Sequence, residues 1–149
     1  MLQSRIGSFE GLRVADLFAG TGALGLEALS RGAGHCTFIE KDRAALDILR
    51  RNIDRLGAGD RADVRPQAVE HAAPPSAPFD LVLADPPYGA GLAQAALERL
   101  ALPGWLAPGA WISVEYQGEA LDLPAGLAID TERRYGKARL MLLQAAAAA

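Results

Sequence analysis

The stretch VADLFAGTGALGLEALSRGA, residues 14–33, decides the fold of this chain. Its start belongs to an apolar run, Arg13–Phe18, that predicts a buried strand, and the glycines that follow predict its end. From Gly22 to Ser30 the pattern is helical, and Gly32 supplies a stop. A strand that passes through a glycine turn into a helix is typical of α/β folds that bind a ligand at that turn.

Strands and helices alternate through the rest of the chain. Further strands are predicted at His35–Glu40, Ala62–Pro66, Phe79–Ala84 and Ala110–Glu115, and further helices at Asp42–Leu56 and Leu92–Leu102. Two final strands, Leu127–Arg133 and Ala138–Leu143, flank Tyr135-Gly136-Lys137 with the spacing of a hairpin. We therefore predict a single α/β domain over residues 1–149, with helices on both faces of a mainly parallel sheet and one antiparallel strand. Residues 144–149 are expected to fray.

Composition excludes several classes of protein. No apolar run approaches the roughly 20 residues of a membrane helix, and the first ten residues lack the apolar segment of a signal peptide, so a cytoplasmic protein is expected. One cysteine and two histidines rule out an internal disulfide and disfavour a metal site. The net charge of −3 argues against tight binding of nucleic acid by this chain alone. The basic clusters are expected to be solvated faces; they comprise Arg50, Arg51 and Arg55, and Arg133, Arg134, Lys137 and Arg139.

The glycine turn has an acidic partner at a suitable distance. Gly20 to Gly25 reads G-T-G-A-L-G and matches G-x-G-x-x-G between a strand and a helix. Glu40 lies twenty positions after Gly20, at the end of the second predicted strand. A carboxylate at that place can accept the hydroxyl hydrogens of a ribose, so the pair predicts a site for a nucleoside-containing cofactor.

Asp16 separates two cofactors that would otherwise fit equally well. It lies inside the first strand's apolar run, four residues before Gly20. A buried carboxylate there would repel the pyrophosphate of NAD, whereas it would favour the sulfonium and ammonium groups of S-adenosylmethionine. Asp16 therefore favours S-adenosylmethionine, although a buried structural aspartate is the alternative interpretation.

Asp85-Pro86-Pro87-Tyr88 directly follows the fourth predicted strand and is the most specific motif in the chain. An exocyclic amine on a base is a poor nucleophile because its lone pair is delocalised into the ring. The Asp85 carboxylate and the Pro86 carbonyl could accept its two N–H groups, and the prolines would hold that geometry rigidly. Tyr88 offers a flat face for a base turned out of its stack. The motif predicts methylation of such an amine by positioning and electrostatics.

These segments, with FIEKD at residues 38–42 and RRYGKARLMLL at 133–143, resemble class I methyltransferases and, more closely, the bacterial RsmD family. The resemblance implies a Rossmann-like fold with a seven-stranded sheet. It implies S-adenosylmethionine as cofactor, S-adenosylhomocysteine as product and methylation of a guanine N2 in 16S ribosomal RNA, within an assembled small-subunit particle, by a monomer that binds neither membrane nor metal. The implied catalytic residues are Asp85, Pro86, Pro87 and Tyr88, and the implied cofactor-binding residues are Asp16, Phe18, Ala19, Gly20, Thr21, Gly22, Glu40, Lys41, Gln67, Ala68 and Asp85.

Two departures from the family pattern stand out. Members carry an N-terminal arm and a further helical motif before the first core strand, whereas Leu2-Gln3-Ser4 here resembles only the tail of that helix. We therefore expect a truncated chain whose RNA contacts and activity are reduced. In addition, Gln67 stands where the family commonly places an acidic residue for the adenine amine, and it offers a carbonyl without charge.

Several functions remain open at this stage. Adenine N6 in DNA and a protein glutamine amide are targets of related Pro-Pro-aromatic motifs, although Asp rather than Asn at position 85 favours nucleic acid. A core that binds cofactor but is inactive without its arm is another possibility. An NAD-dependent oxidoreductase is the least favoured.

Overall fold

A computed structural model describes residues 2–89, 91–118 and 120–147 and contains one seven-stranded sheet. The strand order is β3-β2-β1-β4-β5-β7-β6. The first five strands along the chain pair in parallel, and β7 lies antiparallel between β5 and β6. The predicted mainly parallel sheet with one antiparallel strand is therefore confirmed.

The elements follow the predicted alternation. The strands are β1 Arg13–Leu17, β2 His35–Ile39, β3 Ala62–Arg65, β4 Phe79–Ala84, β5 Leu106–Gln117, β6 Leu127–Tyr135 and β7 Ala138–Ala145. The α-helices are α1 Leu2–Ile6, α2 Ala23–Ser30, α3 Arg43–Arg55 and α4 Leu92–Leu100, and short 3-10 turns occur at Gly59–Arg61 and Val69–His71. The side chain of Asp42 caps α3 by accepting the N–H of Ala45 at 2.9 Å.

Three strands, β5, β6 and β7, run further than predicted. β5 begins at Leu106 instead of Ala110 because Phe79 of β4 pairs with Leu106 before the register shifts. The expectation that the chain frays from Gln144 is wrong for the described part of that segment. Gln144 pairs with Trp111, Ala145 pairs with Leu127, and the Ala146 N–H donates to the Gly126 carbonyl at 2.8 Å. Alanine has no side chain to pack, but its backbone completes the ladder; residues 148 and 149 lie outside the described residues.

The sheet is covered on both faces. One hydrophobic cluster packs α2 and α3 against Val14, Cys36 and Phe38, and Cys36 is a fully buried core residue. The other packs α4 against Ala15 and Leu17 and includes the fully buried Trp105. Successive strand residues point to opposite faces, so Asp16 shares the α2 face with Val14. This parity decides the role of Asp16.

None of the described helices is long and apolar enough to cross a membrane. The two core clusters instead use the apolar residues to pack helices against the sheet.

Candidate active site

A cavity of about 480 Å³ opens at the carboxyl ends of β1, β2 and β4, the edge where parallel sheets bind ligands. It brings together nine of the predicted site residues: Phe18, Gly20, Glu40, Lys41, Gln67, Ala68, Asp85, Pro87 and Tyr88. Ile39, Val69, Glu70 and Leu92 complete its lining among the described residues. Residues predicted from two distant motifs therefore face one space.

Glu40 fastens the glycine turn to the second strand. One carboxylate oxygen accepts the Gly20 N–H at 2.7 Å, and the other accepts the N–H groups of Lys41 and Asp42 at 3.0 and 2.9 Å. Each carboxylate oxygen can accept more than one hydrogen bond. Glu40 can therefore hold the turn and still accept a hydroxyl hydrogen from a ligand in the cavity.

Asp16 does not line the cavity in the described structure. It is 2% exposed and accepts the Gly25 N–H at 3.0 Å near the start of α2. Burial raises the pKa of Asp16 to about 7, against the lowering effect of the Gly25 hydrogen bond, and the charges of Asp85 and Glu40 raise it further. The desolvation cost outweighs the favourable position at a helix N-terminus. The direct contacts of Asp16 match the alternative interpretation, a buried structural aspartate. Its effect on a cationic ligand would be a longer-range electrostatic one.

Four other predicted residues lie outside the described cavity lining. Ala19, Thr21 and Gly22 shape the turn: the Gly22 N–H donates to the Ala19 carbonyl at 2.8 Å, and the Asn52 side chain donates to the Thr21 carbonyl at 2.9 Å. Gly22 has φ of +89°, and a side chain there would collide with Leu49, so glycine is required. Pro86 is buried between the two exposed residues Asp85 and Pro87.

Phe18 marks the cavity with an unusual backbone. Its φ is +58°, a left-handed conformation that a bulky non-glycine residue rarely adopts. The neighbouring Ala19 N–H donates to the Ile39 carbonyl at 3.0 Å, which holds the turn. Backbone strain of this kind concentrates at ligand sites. Phe18 lies two residues before Gly20, and both residues line the cavity.

Glu115 is a candidate functional residue that the sequence analysis did not assign. Because Ala84 pairs with Val114, Asp85 just after β4 and Glu115 inside β5 lie side by side, and their side chains form a hydrogen bond. Burial raises the pKa of Asp85, against the lowering effect of this hydrogen bond. Burial, the Asp85 charge and the hydrogen bond all raise the pKa of Glu115. Glu115 therefore places a second acidic side chain beside Asp85.

Glu70 is a second acidic residue that was not predicted from the sequence. It stands in the short turn Val69–His71 after β3 and lines the cavity together with Gln67. Its main-chain carbonyl accepts a hydrogen bond from Arg99 of α4, which ties this turn to the helix that packs on the same face of the sheet. An acidic side chain does reach this wall, three residues later in sequence than the family pattern implied.

The donor set fits S-adenosylmethionine. Glu40 would supply a ribose acceptor, and Phe18, Ile39 and Val69 would supply apolar walls for a purine ring. Gln67 adds a neutral hydrogen-bonding group beside them. A pyrophosphate fits less well, because two N–H groups of the glycine turn already donate to the carboxylates of Asp16 and Glu40.

Comparison with known proteins identifies the family. The model for "Conserved hypothetical protein 95" matches residues 1–144. The chain belongs to this family. Ribosomal RNA small subunit methyltransferase D of Escherichia coli K12 is 40% identical over 131 residues, covering 87% of this chain and 66% of that relative. The chain thus spans slightly less than two thirds of that protein. The resemblance to the RsmD family is confirmed.

Solved structures of similar proteins show the same fold. A proposed methylase from Haemophilus influenzae superposes with a TM-score of 0.89 at 32% identity, over 97% of this chain and 93% of that one. A proposed methyltransferase from Escherichia coli gives a TM-score of 0.88 at 36% identity, over 99% and 83% of the two chains. The family fold is therefore that of the class I methyltransferases, as predicted.

Proposed function

We propose that this chain is the core of an S-adenosylmethionine-dependent methyltransferase that modifies the exocyclic N2 of a guanine in 16S ribosomal RNA. The substrate is the RNA within an assembled small-subunit particle in the cytoplasm, and the enzyme acts as a monomer. The family membership and the name of the Escherichia coli relative support ribosomal RNA methylation. The guanine N2 target rests on the chemistry of the motif and on the family resemblance.

One observation carries the proposal: Asp85, Pro87 and Tyr88 line the same cavity as Glu40 and the glycine turn. A methyl donor bound against Glu40 would therefore share its space with a base placed against Tyr88. Tyr88 is 65% exposed, so its ring is accessible to a base that has left its stack. Placing both reactants in one cavity supplies the proximity that a transfer reaction needs.

Asp85 accounts for the proton of the reaction. S-adenosylmethionine, when bound, supplies an electrophilic methyl group and leaves as S-adenosylhomocysteine. The amine gains a carbon–nitrogen bond as the sulfur–carbon bond breaks, and it must lose one proton. Asp85 accepts an amine N–H before transfer and takes that proton afterwards, which its raised pKa favours. Because Asp85 is exposed, it can release the proton to solvent.

The glycine turn provides the argument against an NAD-dependent enzyme. A dinucleotide site directs turn N–H groups at a pyrophosphate, whereas here the N–H groups of Gly20 and Gly25 donate to Glu40 and Asp16. A phosphate brought to this turn would meet the Glu40 carboxylate, and the Gly20 N–H is already engaged by that carboxylate. The arrangement favours a ligand without phosphate and with positive charge.

The proposal is tested by methyl transfer to small ribosomal subunits from a strain that lacks the corresponding methyltransferase. We expect N2-methylguanine in the 16S RNA, detected by mass spectrometry of nucleosides. N6-methyladenine in DNA or methylglutamine in protein would instead support one of the other targets. Binding of S-adenosylmethionine by calorimetry without transfer, with transfer restored by an N-terminally extended chain, would identify this chain as an inactive core.

A further inference from the structure

A second cavity, an open groove of about 890 Å³, lies beside the candidate active site. Gly89 and Gly91 form one wall, Gln117 lies at the end of β5, and the β6–β7 hairpin contributes Arg134, Lys137 and Arg139. Tyr88 and Leu92, on either side of the two glycines in sequence, line the first cavity. The loop between β4 and α4 therefore separates two adjoining spaces.

The charges in the groove are arranged at a cost to the fold. Arg134 of β6 and Arg139 of β7 are directly opposite in the register, and like charges at directly opposite positions destabilise a sheet. Arg139 contacts Glu132 at 3.5 Å. Within the residues that the structure describes, no ion pair involves Arg134 or Lys137. An anion in the groove would relieve the repulsion.

The hairpin presents these cations on a rigid support. The turn between β6 and β7 is just Gly136 and Lys137, and Gly136 has φ of +62°, as two-residue hairpins with a leading glycine require. A tight turn fixes the backbone of Lys137 relative to both strands. The opposite wall carries glycines, which leave room for a polymer backbone to approach closely.

We infer that this groove binds the sugar-phosphate backbone of the RNA next to the nucleotide whose base lies against Tyr88. The inference rests on the proposed function and adds a location for the RNA strand. A base in the first cavity places its neighbouring phosphates across the loop at Gly89 and Gly91. Arg134, Lys137 and Arg139 then neutralise phosphates, which sets the position of the strand without reading its sequence. The cluster expected from sequence to be a solvated face thus acquires a binding role.

The test compares the double variant R134Q/K137Q with a matched control, R50Q/R51Q. Both variants remove two positive charges from exposed positions. The control charges lie on α3, which connects β2 and β3 at the opposite edge of the sheet. Arg139 is left in place because of its contact with Glu132. Thermal unfolding of both variants checks that the fold is retained.

The probes are a fluorescently labelled single-stranded fragment of 16S RNA, read by anisotropy, and unmethylated small subunits, read by methyl transfer. For R134Q/K137Q we expect roughly tenfold weaker RNA binding, unchanged affinity for S-adenosylmethionine, and a salt dependence of log affinity that is shallower by about 0.7 for each lost contact to single-stranded RNA. R50Q/R51Q should match the unmodified chain.

Each outcome decides the inference separately from the proposed function. Weaker binding of R134Q/K137Q with a shallower salt slope supports the groove even if the chain transfers no methyl group. Equal RNA affinity for the two variants, or no RNA binding by the unmodified chain, overturns the inference about the groove. Methyl transfer by the unmodified chain would still support the proposed function in either case. A defect seen with subunits but not with naked RNA would assign the groove to a protein surface of the particle and also overturn the inference.

Discussion

The carboxyl ends of β1 and β4 lie side by side, and each carries an aspartate, Asp16 inside β1 and Asp85 just after β4, yet the two ends are built in opposite ways. At the first, Asp16 is buried and bonded to Gly25, and Glu40 holds the Gly20 N–H. At the second, Asp85 and Tyr88 are exposed, and consecutive prolines restrict the chain. At the end of β1, the carboxylates of Asp16 and Glu40 accept N–H groups of the glycine turn. After β4, the Asp85 carboxylate is exposed and accessible to a substrate.

The largest expected effect tests the turn after β4. Asp85→Asn removes the charged acceptor and should lower turnover by about 10²–10³-fold, in the range found when one preorganised group is lost from an active site. Affinity for S-adenosylmethionine and the free energy of unfolding should change little, because Asp85 is exposed. Single-turnover methyl transfer and calorimetry measure the two effects. Near-normal turnover would remove Asp85 from the chemistry.

The same substitution at the end of β1 should act on stability. The pKa of Asp16 is about 7 in the folded protein against 3.8 ordinarily, so between these values the native state holds a proton that the unfolded chain has released. The contribution of Asp16 to the stability of the unmodified chain should fall as pH rises from about 4 to 7. Asp16→Asn removes this loss and keeps an acceptor for the Gly25 N–H, so its advantage should grow with pH to on the order of 4 kcal/mol.

Urea unfolding of both chains across pH measures this difference. Titration of the other carboxyl groups is common to the two proteins and largely cancels. Stability curves that stay parallel from pH 4 to 8 would show that Asp16 does not titrate in that range.

Glu40 offers a smaller effect confined to the cofactor. Glu40→Gln keeps a carbonyl acceptor for the Gly20 N–H but loses the second oxygen, which accepts the N–H groups of Lys41 and Asp42, so thermal unfolding is measured alongside to check that the fold persists. Binding of S-adenosylmethionine should weaken by about 1–3 kcal/mol through the lost charge-assisted hydrogen bonds. Calorimetry reads the affinity, and Glu27→Gln on the exposed surface of α2 is the control. Equal affinities would place the ribose elsewhere.

Tyr88 should give the smallest effect, on the RNA side. Tyr88→Ala removes a stacking surface and should raise the KM for RNA substrate by the equivalent of about 1–3 kcal/mol, whereas Tyr88→Phe should restore most of it. Steady-state kinetics on unmethylated subunits measure both variants. A defect limited to cofactor binding would contradict a role for Tyr88 in holding the base.

The comparison also shows how far sequence reasoning extends. Glycines, prolines and apolar periodicity act locally, so the sheet, its hairpin and most cavity residues could be predicted. Asp16 lies outside the described cavity lining, because the alternation of β1 puts it on the same face as Val14, against α2. Glu115 escaped notice because its proximity to Asp85 depends on a strand register that shifts between Phe79 and Leu81. Nothing local signals the left-handed backbone of Phe18.

The placement of β7 between β5 and β6 governs how the molecule can be assembled during translation. β6 hydrogen-bonds within the sheet to β7 alone, yet it emerges from the ribosome first. The strands that carry the glycine turn and Asp85 are all synthesised before residue 86 and can pair as soon as they appear. The strands around the candidate site can therefore pair early in synthesis. The basic hairpin can form only after the chain beyond Ala138 has been made. A chain stalled before that point would leave the edge of β5 unpaired and accessible to chaperones.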